Sequence, residues 1–129
     1  MTTASACIVV AFGLVIVTRI LLLLEQRKLG AIDNKRPRKQ WRRLTGRGAR
    51  VLEAYRDAVD AFAPFVAAVL VVQQTEAIQK RIDMLALAWV IARVVHPAAH
   101  VAEADYLRSF LGVLSYACVG GLFALALLA

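Results

Sequence analysis

From Ala4 to Leu24 the chain runs for 21 residues with a single charge, Arg19. At about 1.5 Å of rise per residue, roughly 20 apolar residues in a helix cross a hydrocarbon core of about 30 Å. Inside a bilayer the backbone must satisfy its own hydrogen bonds, which leaves helices and closed barrels as the options. An unbroken apolar run of this length, with no period-two alternation, selects the helix. Tyr106 to Ala129 is a second run of this kind, 24 residues interrupted only by Arg108 near its start. Two shorter apolar stretches, Ala61–Val72 and Met84–Val95, reach spanning length only by sharing their helices with flanking polar residues. Of all residues, 60% are apolar, against about 45–50% in soluble domains. The expectation is a single all-α integral membrane domain over 1–129, a four-transmembrane-helix bundle with helices near 4–26, 45–73, 82–101 and 106–128. The first run lacks the basic flank of a secretory signal and its apolar core is too long for one, so a retained membrane helix is expected.

Charge sets the orientation. The net charge is +7, and ten of the sixteen Lys and Arg residues lie between Glu25 and Arg50, against Glu25 and Asp33 alone. Short basic loops stay on the cytoplasmic side. The N-terminus is therefore expected outside, the first loop inside, and the protein in an inner or plasma membrane. Trp41 is the one aromatic residue in the basic run. No nucleic-acid fold motif surrounds it, so a nucleic-acid partner is not expected. Attraction to anionic lipid headgroups, about 1 kcal/mol per basic residue near the surface, explains the run, with Trp41 as an interfacial anchor.

Cys7 and Cys118 fall inside expected spans and read as small buried apolar residues. The chain has no CxxC, no HExxH and no phosphate-binding glycine loop. Gly30 and Pro37 break the chain after the first span. Thr45 is the expected N-cap of a long helix reaching about Gln73, with Pro64 a kink site.

The polar half of that helix carries the unusual chemistry. Arg50, Glu53, Arg56, Asp57 and Asp60 recur at steps that stack them on one side of the helix. Charge at bilayer depth is expensive, so such a stripe faces a protein interior or a watery cavity. One reading is a polar ligand site between helices. The other is an ion-pair network, with Arg56 paired to Asp60, Arg50 or Arg56 to Glu53, and Arg93 to Asp57 or Asp60. In the third helix Arg93, His96 and His100 share a face. His96 and His100 read as interfacial or hydrogen-bonded histidines rather than metal ligands, because Pro97 lies between them and no third ligand is evident. No metal is expected. Tyr55 and Tyr116 read as packing aromatics, and Glu103 and Asp105 as solvated loop charges.

These residues, in this order, resemble the MAPEG superfamily, the membrane-associated proteins in eicosanoid and glutathione metabolism. The resemblance rests on four short helices, the basic first loop and the segment Arg50-Val-Leu-Glu-Ala-Tyr-Arg-Asp-Ala-Val-Asp-Ala-Phe-Ala-Pro-Phe65. Arg93-Val-Val-His96-Pro-Ala-Ala-His100 resembles the family's third-helix pattern, and Tyr106-Leu-Arg108-Ser109 the arginine-bearing start of its fourth helix. Glu53 stands where the family carries a basic residue, Asp57 where it carries Asn, and His100 where it carries Tyr.

The resemblance implies a homotrimer with sites between protomers near the cytoplasmic side, binding glutathione as cosubstrate. It implies transfer of the thiol to small apolar electrophiles arriving from the lipid, or reduction of lipid hydroperoxides. Arg108 is implied as the catalytic residue facing the glutathione sulfur. Arg50, Arg56 and Arg93 are implied as holders of its carboxylates, with Asp57, Asp60 and His100 completing the pocket. A thiol with a pKa near 8.5 is largely protonated at neutral pH, and a cation beside it favours the thiolate. The three departures motivate an alternative, a catalytically silent scaffold or accessory subunit of a larger membrane complex.

Overall fold

A computed structural model describes residues 1–32 and 35–129; Asp33, counted above among the loop acids, lies outside them. The described residues form helices and no strand: α1 (Thr3–Arg27), α2 (Pro37–Trp41), α3 (Arg47–Val72), α4 (Gln79–Val101) and α5 (Asp105–Leu128). The four long helices occupy the expected places. Three of them, α1, α4 and α5, are long and apolar enough to cross a membrane. The expectation of four spans and four helices needs correction on two points. α3 is equally long, but its first half carries the charged stripe and falls outside the composition of an apolar span. The basic loop also contains the fifth helix, α2.

α2 is too short to show any periodicity in sequence and is held by tertiary contacts. Pro37 starts it, where a missing N–H costs nothing. Its buried Gln40 accepts a 2.9 Å hydrogen bond from Nε2 of the fully buried Gln26 and donates one of 2.9 Å to the Ala31 carbonyl. α3 is capped by Gly46, not by Thr45: no side chain caps it, and Gly46 has φ +55°. In that left-handed region a side chain clashes with the backbone, so glycine takes the position. Gly48 N–H and Arg50 N–H donate to the carbonyls of Thr45 and Gly46 at 3.1 and 3.2 Å.

The bundle is up-and-down, and its two ends differ. One end joins the start of α1 to the end of α3, the start of α4 and the end of α5. Ala4, Cys7, Ala11, Phe65, Ala68, Val69, Val72, Ile82, Ala86, Trp89, Cys118 and Leu122 form its core. Small residues let the helices approach closely where lipid supplies no hydrophobic drive. Phe65 and Trp89 stack at 3.8 Å between centroids, locking α3 to α4. Outside this core the N-terminus of α1 is tied down by polar groups. Thr2 Oγ1 accepts from Ser5 N–H at 3.1 Å, and Asp83 of α4 accepts from Ala4 N–H at 3.0 Å. Gln73 and Gln79 bond reciprocally at 2.8 and 3.1 Å.

At the opposite end, below α2, the apolar core thins to Leu22, Leu44, Val51 and Leu52. Ala92, Ala99 and Leu111 make a separate small cluster between α4 and α5. Arg19, the one charge in α1, lies 5.5 Å from the ring centroids of Trp41 and Tyr55, a cation–π arrangement that keeps it out of the lipid-facing surface. Around the outside, Val9, Phe12, Ile16, Val17, Ile20, Leu70, Met84, Leu87, Ile91, Phe110 and Val113 are exposed. A belt of this extent on a water-soluble monomer would be an aggregation surface. Around a bundle of spanning helices it faces lipid.

Candidate functional site

The core thins at the loop end because polar side chains from three helices meet there. A cavity of about 570 Å³ opens between α3, α4 and α5, lined by Glu53, Arg56, Asp57, Asp60, Arg93, His96, His100, Arg108, Ser109, Gly112 and Tyr116. Its volume lies within the about 300–1,000 Å³ usual for small-ligand sites. Each contributing face follows from helical spacing. α3 supplies Glu53, Arg56, Asp57 and Asp60, the stripe visible in sequence. α4 supplies Arg93, His96 and His100, and its helix continues through Pro97 to Val101, so both histidines stay on one face. α5 supplies Arg108, Gly112 and Tyr116, each four residues on from the last.

The walls and the mouth differ in burial. Arg93, His96 and His100 form the floor, each about 5% exposed or less. Asp57 and Arg108 are half-buried, and Glu53, Arg56, Asp60 and Tyr116 are exposed at the rim. Three guanidinium groups (Arg56, Arg93, Arg108) face three carboxylates (Glu53, Asp57, Asp60) across this space. The cavity is therefore polar without a dominant charge.

Specific pairing decides which of these groups are engaged. His100 Nε2 lies 2.5 Å from Asp57 Oδ2, and its Nδ1 lies 3.8 Å from Glu53 Oε2. Both carboxylates that depart from the family pattern thus converge on His100, the third departure. The His96 ring meets the His100 ring edge-on at 4.7 Å. His96 Nδ1 is buried with no hydrogen-bond partner. Among the described residues no ion pair within 4.0 Å joins Arg56 to Asp60, Arg93 to Asp57 or Asp60, or an arginine to Glu53. The expected ion-pair network is therefore not formed within one protomer. Arg50 instead bonds Glu103 at 2.8 Å, so Glu103 is more than a solvated loop charge. Arg56 sits 6.0 Å from the Trp41 ring centroid. Arg108 has only a marginal 4.0 Å approach to Asp105.

The structure brings together Arg56, Asp57, Asp60, Arg93, His100 and Arg108 of the residues expected in the site, and leaves Arg50 outside it. It adds Glu53, His96, Ser109, Gly112 and Tyr116. Tyr116, expected as a packing aromatic, lines the cavity instead, and its spacing of four and eight from Gly112 and Arg108 marks it for the same face. A second cavity, of about 520 Å³, lies against α2 and the outer side of α3, lined by Arg38, Trp41, Arg42, Tyr55, Arg56, Val59 and Asp60. It shares Arg56 and Asp60 with the first.

Chemically, the arginines of the floor and rim can pair with anionic groups of a ligand, and the carboxylates beside them with cationic ones. Exposed apolar residues of α4 and α5 border the lipid beside the cavity. Neither a curated protein nor a solved structure matches the chain. The family model that does match is the MAPEG family, over residues 3–128, which takes in all four long helices and every residue of the cavity; the chain belongs to the MAPEG family.

Proposed function

We propose that this protein is a membrane-bound thiol transferase or peroxidase of the MAPEG type. It would use glutathione or a related low-molecular-weight thiol against apolar, lipid-soluble electrophiles. The observation that carries the reading is the convergence of Arg56, Arg93 and Arg108 on one cavity at the loop end of the bundle, in a chain of this family. Arg108 stabilises the cosubstrate thiolate, since a cation beside the sulfur offsets the cost of ionising it. That stabilisation grows where water is excluded. Arg56 and Arg93 hold the carboxylates, and Asp60 the amine. The thiolate then attacks an electrophilic carbon, forming the carbon–sulfur bond as the leaving group departs with the electron pair. With a hydroperoxide, two thiols are oxidised to a disulfide while the peroxide is reduced to alcohol and water.

The working form in this proposal is a homotrimer. Rim residues left exposed in one protomer, Glu53, Arg56 and Asp60, then face a neighbouring copy across the site. The basic loop with α2 lies on the cytoplasmic side among anionic headgroups, and the N-terminus lies outside. The test is turnover of an apolar electrophile by the detergent-purified protein. Arg108→Ala is expected to lower kcat/KM by about tenfold or more, in line with loss of a charge-assisted interaction of about 1.5–3 kcal/mol, with thermal unfolding unchanged. Unchanged turnover in that variant would contradict the assignment.

The Asp57–His100 contact favours a second reading, a catalytically silent trimer inside a larger membrane complex, because it engages two groups a ligand would need. That reading calls for co-purification with other subunits in mild detergent. Recovery only as a free trimer with turnover would count against it.

A further inference from the structure

His96 is the most unusual group in the cavity: a ring 4% exposed, with Nδ1 buried and unpartnered. A buried polar atom without a partner costs about 1–3 kcal/mol, so its environment calls for an explanation. Around it stand the two groups that would supply one. Ligand atoms of Asp57, His96 and His100 all lie within 4.8 Å of one another. We propose that Asp57, His96 and His100 form a binding site for a divalent transition-metal ion such as zinc, with an open coordination position facing the cavity.

The donor set fits this class of ion. Two imidazoles and one carboxylate suit zinc and its first-row neighbours, and three protein ligands with one vacant position are the pattern of catalytic rather than structural sites. Geometry is close to what binding requires. Donor atoms about 2.0–2.2 Å from a tetrahedral ion lie about 3.4 Å from one another. The present separations, from the 2.5 Å Asp57–His100 contact up to the 4.8 Å limit, bracket that figure. Both histidines are fixed on α4, one turn apart. The side chain that must move is Asp57, which is 43% exposed and has room to rotate. With His100 Nε2 on the metal, its Nδ1–H is aimed at Glu53 Oε2, now 3.8 Å away. A carboxylate behind a ligating histidine is the usual supporting partner.

Charge is the main opposing term. Arg56, Arg93 and Arg108 line the same cavity as the candidate ligands, but Glu53 and Asp60 line it as well. With Asp57 as ligand, three carboxylates balance three guanidiniums before the ion enters. The vacant position opens toward the place where the thiol would lie, so a thiolate is the natural fourth ligand; this last step rests on the thiol reading above, whereas the metal site does not.

The experiment uses tag-free, chelator-treated protein in detergent, titrated with zinc and, separately, with cobalt(II) as a spectroscopic probe. One ion per protomer is expected, with the intense visible bands of four-coordinate cobalt. His96→Ala and Asp57→Asn each weaken zinc binding by at least about 100-fold, more than loss of an outer partner, while Arg108→Ala, which removes an opposing charge from the cavity, does not weaken it. Absence of saturable binding by the wild-type protein would overturn the proposal without recourse to any variant. So would binding of equal strength in folded His96→Ala. Adding glutathione to the cobalt form is expected to produce a sulfur-to-metal charge-transfer band. A cobalt spectrum unmoved by glutathione leaves the metal site standing and counts against the thiolate as its fourth ligand.

Discussion

At the scale of single residues, the departures from the family pattern explain one another. Glu53, Asp57 and His100 look like three unrelated changes along the sequence, yet in the structure they are a single cluster, with His100 between the two acids. Such a contact joins residues 43 positions apart on different helices, and no local spacing reveals it. What could be read locally was which residues share a face. Arg93, His96 and His100 on α4 and the stripe on α3 follow from helical periodicity alone, and Tyr116 follows from Arg108 by the same rule. Arg50 belonged to the stripe by spacing, but the Glu103 carboxylate draws it away from the cavity. The cluster makes a stability prediction. Asp57→Ala leaves a His100 ring only 3% exposed without its acceptor, at an expected cost of about 1–3 kcal/mol. Asp57→Asn keeps an oxygen in place and restores most of it. Unfolding by denaturing detergent in mixed micelles measures both, and an Asp57→Ala protein as stable as the parent would argue that the contact carries no weight.

At the scale of elements, the long helices were legible because spanning length and apolar periodicity are strong local signals. Their starts were less so. Thr45 has the side chain of an N-cap, but the chain turns at Gly46 through a left-handed φ of +55°, a conformation that depends on the path of the loop. α2 was not legible at all. Five residues cannot declare a helix, and the Gln26–Gln40 contact that holds it links the end of α1 to the loop. The far core offers the cleanest packing test. Phe65 is fully buried and stacked on Trp89. In soluble cores Phe→Ala costs about 3–5 kcal/mol. Here the expected loss is smaller, about 1–3 kcal/mol, because separated helices still sit in lipid and only packing is lost. Unfolding in mixed micelles checks it. Val72→Ala, at a fully buried position about three turns along α3 from Asp60, is expected to leave thiol turnover within about twofold of the parent. A large activity loss at native stability would contradict this division of labour between the two ends.

For the whole molecule, the two ends of the bundle have different compositions for different purposes. One end is packed with alanine, valine and aromatic rings and carries the fold. The other thins its core to admit a cavity between α3, α4 and α5, with α2 against the outer side of α3 at the same end. Charge placement then predicts the orientation. In a background where Cys7 and Cys118 are serine, a cysteine at Arg38 is expected to react with an impermeant thiol reagent only after the membrane is opened from the cytoplasmic side. A cysteine at Thr2 is expected to react from outside. The reverse pattern would invert the topology and move the cavity to the other face. In the proposed function, a cavity at one end of the bundle, beside the exposed apolar residues of α4 and α5, is where a water-soluble thiol and a lipid-soluble acceptor would meet. The most direct test is an experimental structure of the protein equilibrated with glutathione. Elongated density in the cavity, its sulfur beside Arg108 and its carboxylates against Arg56 and Arg93, is the result expected. A cavity holding only water or lipid at saturating glutathione, or the thiol bound elsewhere, would contradict the account.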